Sequence, residues 1–197
     1  MDAGYYNLGS YRRPVDTDSA QAQLWFDRGL VWAYAFNHDE AVRCFERALE
    51  HDGDLAVARW GIAYAVGPNY NKAWDAFDPV ELDEALRRAR AELASAAAGR
   101  ASATERALID ALSLRFPTDD PSDDAALRGA HAAYADAMVS VAARLPRDVD
   151  VQALAADALL NVSAWELWDS TTGQPAAGSR VEEATAILEA ALAGTAG

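Results

Sequence analysis

Three histidines, one cysteine and one lysine make up the sparse reactive chemistry of this chain, and two segments set such groups beside amides and phenols. The first is Phe36-Asn37-His38. An imidazole gains and loses its proton near neutral pH and ligates metals, so His38 reads as a metal ligand or general base. The structural alternative has Asn37 capping the helix that follows, with His38 packed in the turn. The second segment is Gly67-Pro68-Asn69-Tyr70-Asn71-Lys72. Asn69, Tyr70, Asn71 and Lys72 offer amide, phenol and ammonium groups in a loop at a helix end, where rigid scaffolds concentrate binding groups. Its alternative is a helix stop followed by an Asx-stabilised turn in water.

Other candidates are poorer. His38 and His51 bracket one helix about 220° apart around its axis, so they cannot share a metal through it. His131 stands three residues before Tyr134 in an alanine-rich helix, as a partly buried polar residue. Neither HExxH nor a paired-cysteine pattern occurs, so no complete zinc site is visible. Asp119, Asp120, Asp123 and Asp124 lack the spacing of a calcium loop and read as a helix start before and after Pro121. Trp165 and Trp168, spaced one helical turn apart, are expected to share a face; such a pair packs in the core or lines a groove that grips a peptide, and the spacing does not separate the two.

The elements that would position these groups are helices. Residues 1–18 carry Gly4, Gly9 and Pro14 and read as irregular. Asp18 or Ser19 can cap the first helix, and a hairpin from about Ala20 to His51 turns at Phe36–His38. Gly29 and Trp32 on its first helix, with Ala41, Phe45 and Ala48 on its second, follow the small–large pattern of a tetratricopeptide repeat. Gly61 and Tyr64 repeat the spacing of Gly29 and Trp32. The second pair carries an inserted loop, Asn69–Pro79, before helix Glu81–Ala98, where Ala85 and Ala89 fit the pattern and Glu92 departs from it. A third pair spans Ala103–Phe116 and Pro121–Leu145, a fourth Val149–Trp168 and Arg180–Ala193. The expected fold is all-α: a tetratricopeptide-like α-solenoid of about four antiparallel helix pairs over residues 19–197. In regular stacking, His38 and the Asn69–Lys72 loop would lie near one edge. A repeat array needs a polar cap on its last face, and the chain stops at Gly197 without one. The expectation is a piece of a longer protein, or pairing of that face with a second copy to give a homodimer.

The strings WFDRGLVWAYAFNHDEAVRCFERALEHD and ARWGIAYAVGPNYNKAW resemble a family of bacterial tetratricopeptide-repeat proteins that share an FNH-x-EA turn and a WG-x-A-x-x-x-GPN-x-N segment. The resemblance continues through LSLRFP and NVSAWELWD and covers nearly all of the chain. It implies the repeat fold and a longer protein with histidine-rich repeats beyond this segment; it implies no particular reaction.

Composition narrows the function. Seventeen basic residues against 31 acidic ones leave a net charge of −14, which opposes nucleic-acid binding and docking on anionic lipid. No apolar run reaches membrane-span length. The N-terminus lacks a secretory pattern, and the single cysteine, Cys44, fits a reducing compartment, so the expected location is the cytoplasm. No cofactor is indicated. The expected function is a scaffold that binds a protein or peptide on its concave face through Phe26, Leu30 and Tyr34. An alternative is part of an enzyme or metal-binding protein using Asn37, His38, Asn69 and Asn71. Apolar Phe26 and Leu30 occupy the positions where carboxylate-clamping repeats carry lysine and asparagine, so no such clamp is expected.

Overall fold

A computed structural model describes residues 5–195; the first four residues of the irregular N-terminal segment and the terminal Gly197 lie outside them. Every regular element among the described residues is helical: α1 Ala20–Tyr34, α2 His38–His51, α3 Ala56–Val66, α4 Pro79–Ala98, α5 Ala103–Ser113, α6 Asp124–Arg144, α7 Val149–Leu160 and α8 Val181–Thr195. Short 3-10 turns cover Trp74–Ala76 and Asn161–Ser163. No helix among these residues is long and apolar enough to cross a membrane. The chain forms two compact units, one comprising residues through Val66 with Ala91–Ile109, the other Gly67–Arg90 with the residues from Asp110 onward.

In the first unit, α1 packs on α2 and α2 on α3. The Ser19 hydroxyl caps α1 by accepting from the Ala22 N–H at 3.2 Å. Phe45, fully buried on α2, is the contact that sets the helix spacing. A Cβ at Gly29 would stand 2.4 Å from Phe45 Cε1, and one at Gly61 would stand 2.7 Å from the same atom. Only a residue with no side chain admits the ring at either place, so the two glycines act as sockets for one phenylalanine. The extended segment before α1 has few backbone partners of its own. Side chains supply them: Asp27 accepts from Arg13 N–H, Gln23 from Val15 N–H and Glu105 from Asp16 N–H, each at 3.0 Å.

In the second unit, α7 packs against both α6 and α8. Burial on two sides explains its apolar sequence, with Val151, Leu154, Ala155, Ala156, Ala158 and Leu159 all inside. α8 buries Val181 and Ala184 and leaves Leu188 and Leu192 exposed. Trp74, from the loop after Gly67, inserts its ring 5.8 Å from that of Phe116, which ties the loop to the core.

Three expectations about helix limits are corrected: α5 ends at Ser113 rather than Phe116, where the Leu114, Arg115 and Phe116 N–H groups bond three residues back in tight turns, and two more follow. α6 begins at Asp124 rather than Pro121, because Asp120 Oδ1 takes the Ser122 N–H in a turn and Asp123 is the residue that caps the helix. α7 ends at Leu160 rather than Trp168. The Asn161 amide bonds back to the Asp157 carbonyl at 2.8 Å, and such local side-chain bonding competes with helix continuation. Trp165 then takes a left-handed backbone, φ +66°, so Trp165 and Trp168 share no helix face. Both are exposed rather than core.

Candidate functional site

The first unit holds the residues expected to meet a partner, and two of them are unavailable. Phe26 and Leu30 are buried, Phe26 against Phe45 with ring centres 5.5 Å apart. The small residues that bring α1 and α2 together also draw these side chains inward, so they belong to the core and not to a binding groove. Tyr34 is exposed at the end of α1, where the ring of Tyr11 meets it edge-on at 6.2 Å. The chain's own N-terminal segment therefore covers part of that face, and Tyr5 extends the cover. Its hydroxyl accepts from Trp32 Nε1 at 2.7 Å and donates to Glu40 at 2.8 Å. Burial of the ring and the bonds to Cys44 and Glu40 push the Tyr5 hydroxyl well above its ordinary pKa.

Asn37 caps α2 through its side-chain oxygen, which accepts from the Glu40 N–H at 3.3 Å. Phe36 precedes it at φ +59°, and its exposed ring meets His38 edge-on at 5.9 Å. Among the described residues no three histidine, cysteine or acidic side chains converge as a metal site would require. Cys44 is buried, which raises its thiol pKa.

In the second unit, the Asn69–Lys72 loop closes on itself. Asn69 and Lys72 exchange two backbone hydrogen bonds of 2.9 Å, and Asn69 Oδ1 accepts from the Asn71 N–H at 2.9 Å. Lys72 pairs with Glu81 and lies 4.4 Å over the Phe77 ring. Its ammonium thus fastens the loop to the start of α4. Tyr70 points to a different role: its ring lies 5.4 Å from that of Trp165. Trp165 is 71% exposed, so the pair forms an aromatic ledge, with Trp168, also exposed, three residues further on.

Behind the loop lies a cluster that the sequence did not single out. Arg115 is 1% exposed, and its guanidinium carbon stands 5.1 Å over the ring of buried Tyr134. His131, one turn before Tyr134 on α6, lies 6.1 Å from the Trp74 ring. Burial and the nearby Arg115 charge push the His131 pKa down to about 3, so its ring is neutral at physiological pH. Burial raises the Tyr134 hydroxyl. Arg115 Nε and Nη2, Trp74 Nε1, Tyr134 Oη and both His131 nitrogens are shielded from solvent without a hydrogen-bond partner. Trp74 and His131 also line a recess of about 370 Å³ with Leu82, Leu127, Arg128 and Val162. The only hint in the sequence is an arginine enclosed by Leu114 and Phe116, and an exposed arginine between apolar neighbours reads the same way.

Among the described residues, the second unit thus gathers aromatic faces and buried hydrogen-bond donors. Comparison of the chain with protein-family models, with curated proteins and with solved structures finds no match in any of the three.

Proposed function

We propose that the chain is a tetratricopeptide-like helical scaffold whose task is to bind a protein or peptide segment, and that the contact surface is the Tyr70–Trp165 ledge. One observation carries this reading: Trp165 is exposed while its backbone is held at φ +66°. A bulky side chain in the left-handed region costs conformational energy, and an exposed tryptophan recovers little of it by burial. Exposed aromatic rings on a rigid frame are instead the residues from which binding hot spots are made. The Phe45 socket between Gly29 and Gly61 supports the repeat-like character of the first three helices.

Charge defines the partner further. A surface carrying a net charge of −14 favours a segment with lysine or arginine, and Trp165 and Tyr70 offer cation–π faces to such side chains. The partner is therefore a segment that combines basic and apolar residues. Selection of random peptides displayed on phage tests this, with Trp165→Gly as the counter-target. The expected result is enrichment of basic, apolar-containing peptides on the wild-type chain and their loss on the variant. Enrichment of the same peptides on both proteins would remove the ledge from the account.

A further inference from the structure

Residues 5–17 form no helix, and side chains of the first unit hold them by their main chain. Gln23 reads two groups at once. Its Oε1 accepts from the Val15 N–H at 3.0 Å, and its Nε2 donates to the Arg13 carbonyl at 2.8 Å. Asp27, one turn further along α1, accepts from the Arg13 N–H at 3.0 Å. Glu105 accepts from the Asp16 N–H at 3.0 Å, and Arg100 Nε donates to the Asp16 carbonyl at 3.1 Å. Gln23, Asp27 and Glu105 are buried, and buried polar groups are costly unless paired. All three find partners in the backbone of one extended segment, besides the bonds that Gln23 makes to Asp27 and Glu105 to the Ser102 N–H.

The side chains of that segment are sorted like those of an extended peptide lying on a surface. Tyr11, Arg13, Val15 and Thr17 are half-buried, whereas Arg12, Pro14 and Asp16 between them are exposed. A period of two places alternate residues on opposite faces of an extended chain. Main-chain bonds for affinity and alternate side chains for specificity are how extended peptides are recognised. Tyr5 is the anchor at the far end. Its ring meets Trp25 edge-on at 5.0 Å, and the Arg28 guanidinium stands 4.3 Å over it. Between Tyr5 and Tyr11 the fit is loose. Gly9 turns the backbone at φ +78°, and a recess of about 330 Å³ opens between this stretch and Leu24, Arg28 and Val31 of α1. The segment occupies the face without filling it.

We propose that this face of the first unit is a peptide-binding site in which residues 5–17 lie as a tethered ligand, and that it accepts in their place an extended partner segment carrying a tyrosine at the Tyr5 position. Gln23, Asp27 and Glu105 read main-chain groups common to extended segments, so selection falls on the Tyr5 slot. There Trp32 Nε1 donates to the phenol oxygen and Glu40 accepts from it, and phenylalanine can make neither bond. The site lies within the first unit and does not depend on the Tyr70–Trp165 ledge.

Titration of the full chain into a fluorescein-labelled peptide of residues 5–17, YYNLGSYRRPVDT, read by anisotropy, tests the proposal. The tethered copy competes at high effective concentration, so the wild type is compared with a full-length Tyr5→Ala, Tyr11→Ala double variant that weakens it. The expected result is saturable binding to the double variant, at least tenfold tighter than to the wild type. The Tyr5→Phe peptide should bind at least tenfold more weakly, and so should the wild-type peptide when Gln23→Leu is added to the double variant. Adding Trp165→Gly instead should change nothing. No saturable binding to the folded double variant, equal binding of a scrambled peptide, or loss of binding with Trp165→Gly would overturn the proposal. Hydrogen exchange of the wild-type chain gives a check that needs no variant. The Arg13, Val15 and Asp16 N–H groups should exchange together, at least tenfold faster than the amides of α2. Exchange at the rate of α2 would make the segment a permanent part of the core and would equally overturn the proposal.

Discussion

Arg115 and His131 belong to one cluster, and burial together with the Arg115 guanidinium charge pushes the His131 pKa down to about 3. A histidine whose folded pKa lies below its ordinary 6.5 binds protons later in the folded state than in the unfolded one. Between those two values the unfolded chain takes up the proton first, so folding stability falls as pH falls through that window. Above 6.5 both states are neutral and the effect vanishes. Trp74 faces His131 across 6.1 Å, and Asp75 and Arg128 line the same recess. Urea unfolding of the wild type and His131→Leu from pH 7 to pH 4 isolates the contribution, because titration of the carboxylates is common to both. The wild type should lose up to about 1.4 kcal/mol per pH unit more than the variant. Parallel curves would show that His131 is protonated in the folded state.

Phe45 should couple Gly29 and Gly61. With ring carbons 2.4 Å and 2.7 Å from the added Cβ positions, Gly29→Ala and Gly61→Ala each force the ring to move. Overpacking of this kind costs about 1–3 kcal/mol, read as a lower urea midpoint at unchanged slope. Phe45→Leu should lower stability on its own by leaving space unfilled, and Gly29→Ala should then cost less in its background than in the wild type. Additive effects would mean that the glycine and the ring do not press on each other.

Asn37 should contribute as a cap. Asn37→Ala should destabilise by about 1 kcal/mol, and Asn37→Ser or Asn37→Asp should restore most of it, since each returns an acceptor to the Glu40 N–H. Thermal unfolding of the four proteins checks this. Failure of both replacements to restore stability would assign the amide a role that a cap does not explain.

The hairpin α1–α2 could be read from the chain because its signals are local. Ser19 and Asn37 cap the two helices, and the glycine and alanine positions mark the faces that meet. The same small-residue logic misplaced Phe26 and Leu30. Spacing gives the face of a helix but not how far a neighbour closes over it, and both side chains are covered. Trp165 was misread for another reason. Its spacing from Trp168 is helical, yet Asn161 bonds back to Asp157 and the helix stops before either tryptophan. Arg115 was illegible because its burial depends on α6 supplying Tyr134 and His131, which are distant in sequence. In the Asn69–Lys72 loop the amides were legible as a turn, whereas the ledge made by Tyr70 depends on a residue some ninety positions away.

Trp165 also separates stability from function. Glycine adopts φ +66° without steric cost, so Trp165→Gly should leave the melting temperature unchanged or raise it slightly, despite the loss of the contact with Tyr70. Calorimetric unfolding checks the sign. A large loss of stability would make Trp165 a structural residue and its strained backbone a packing solution.

The most direct measurement is calorimetric titration of a basic, apolar-containing peptide, selected on the wild-type chain, into the wild type and into folded Trp165→Gly. Binding through the ledge predicts saturable association with the wild type and at least tenfold weaker association with the variant. Equal affinity for both proteins would contradict it.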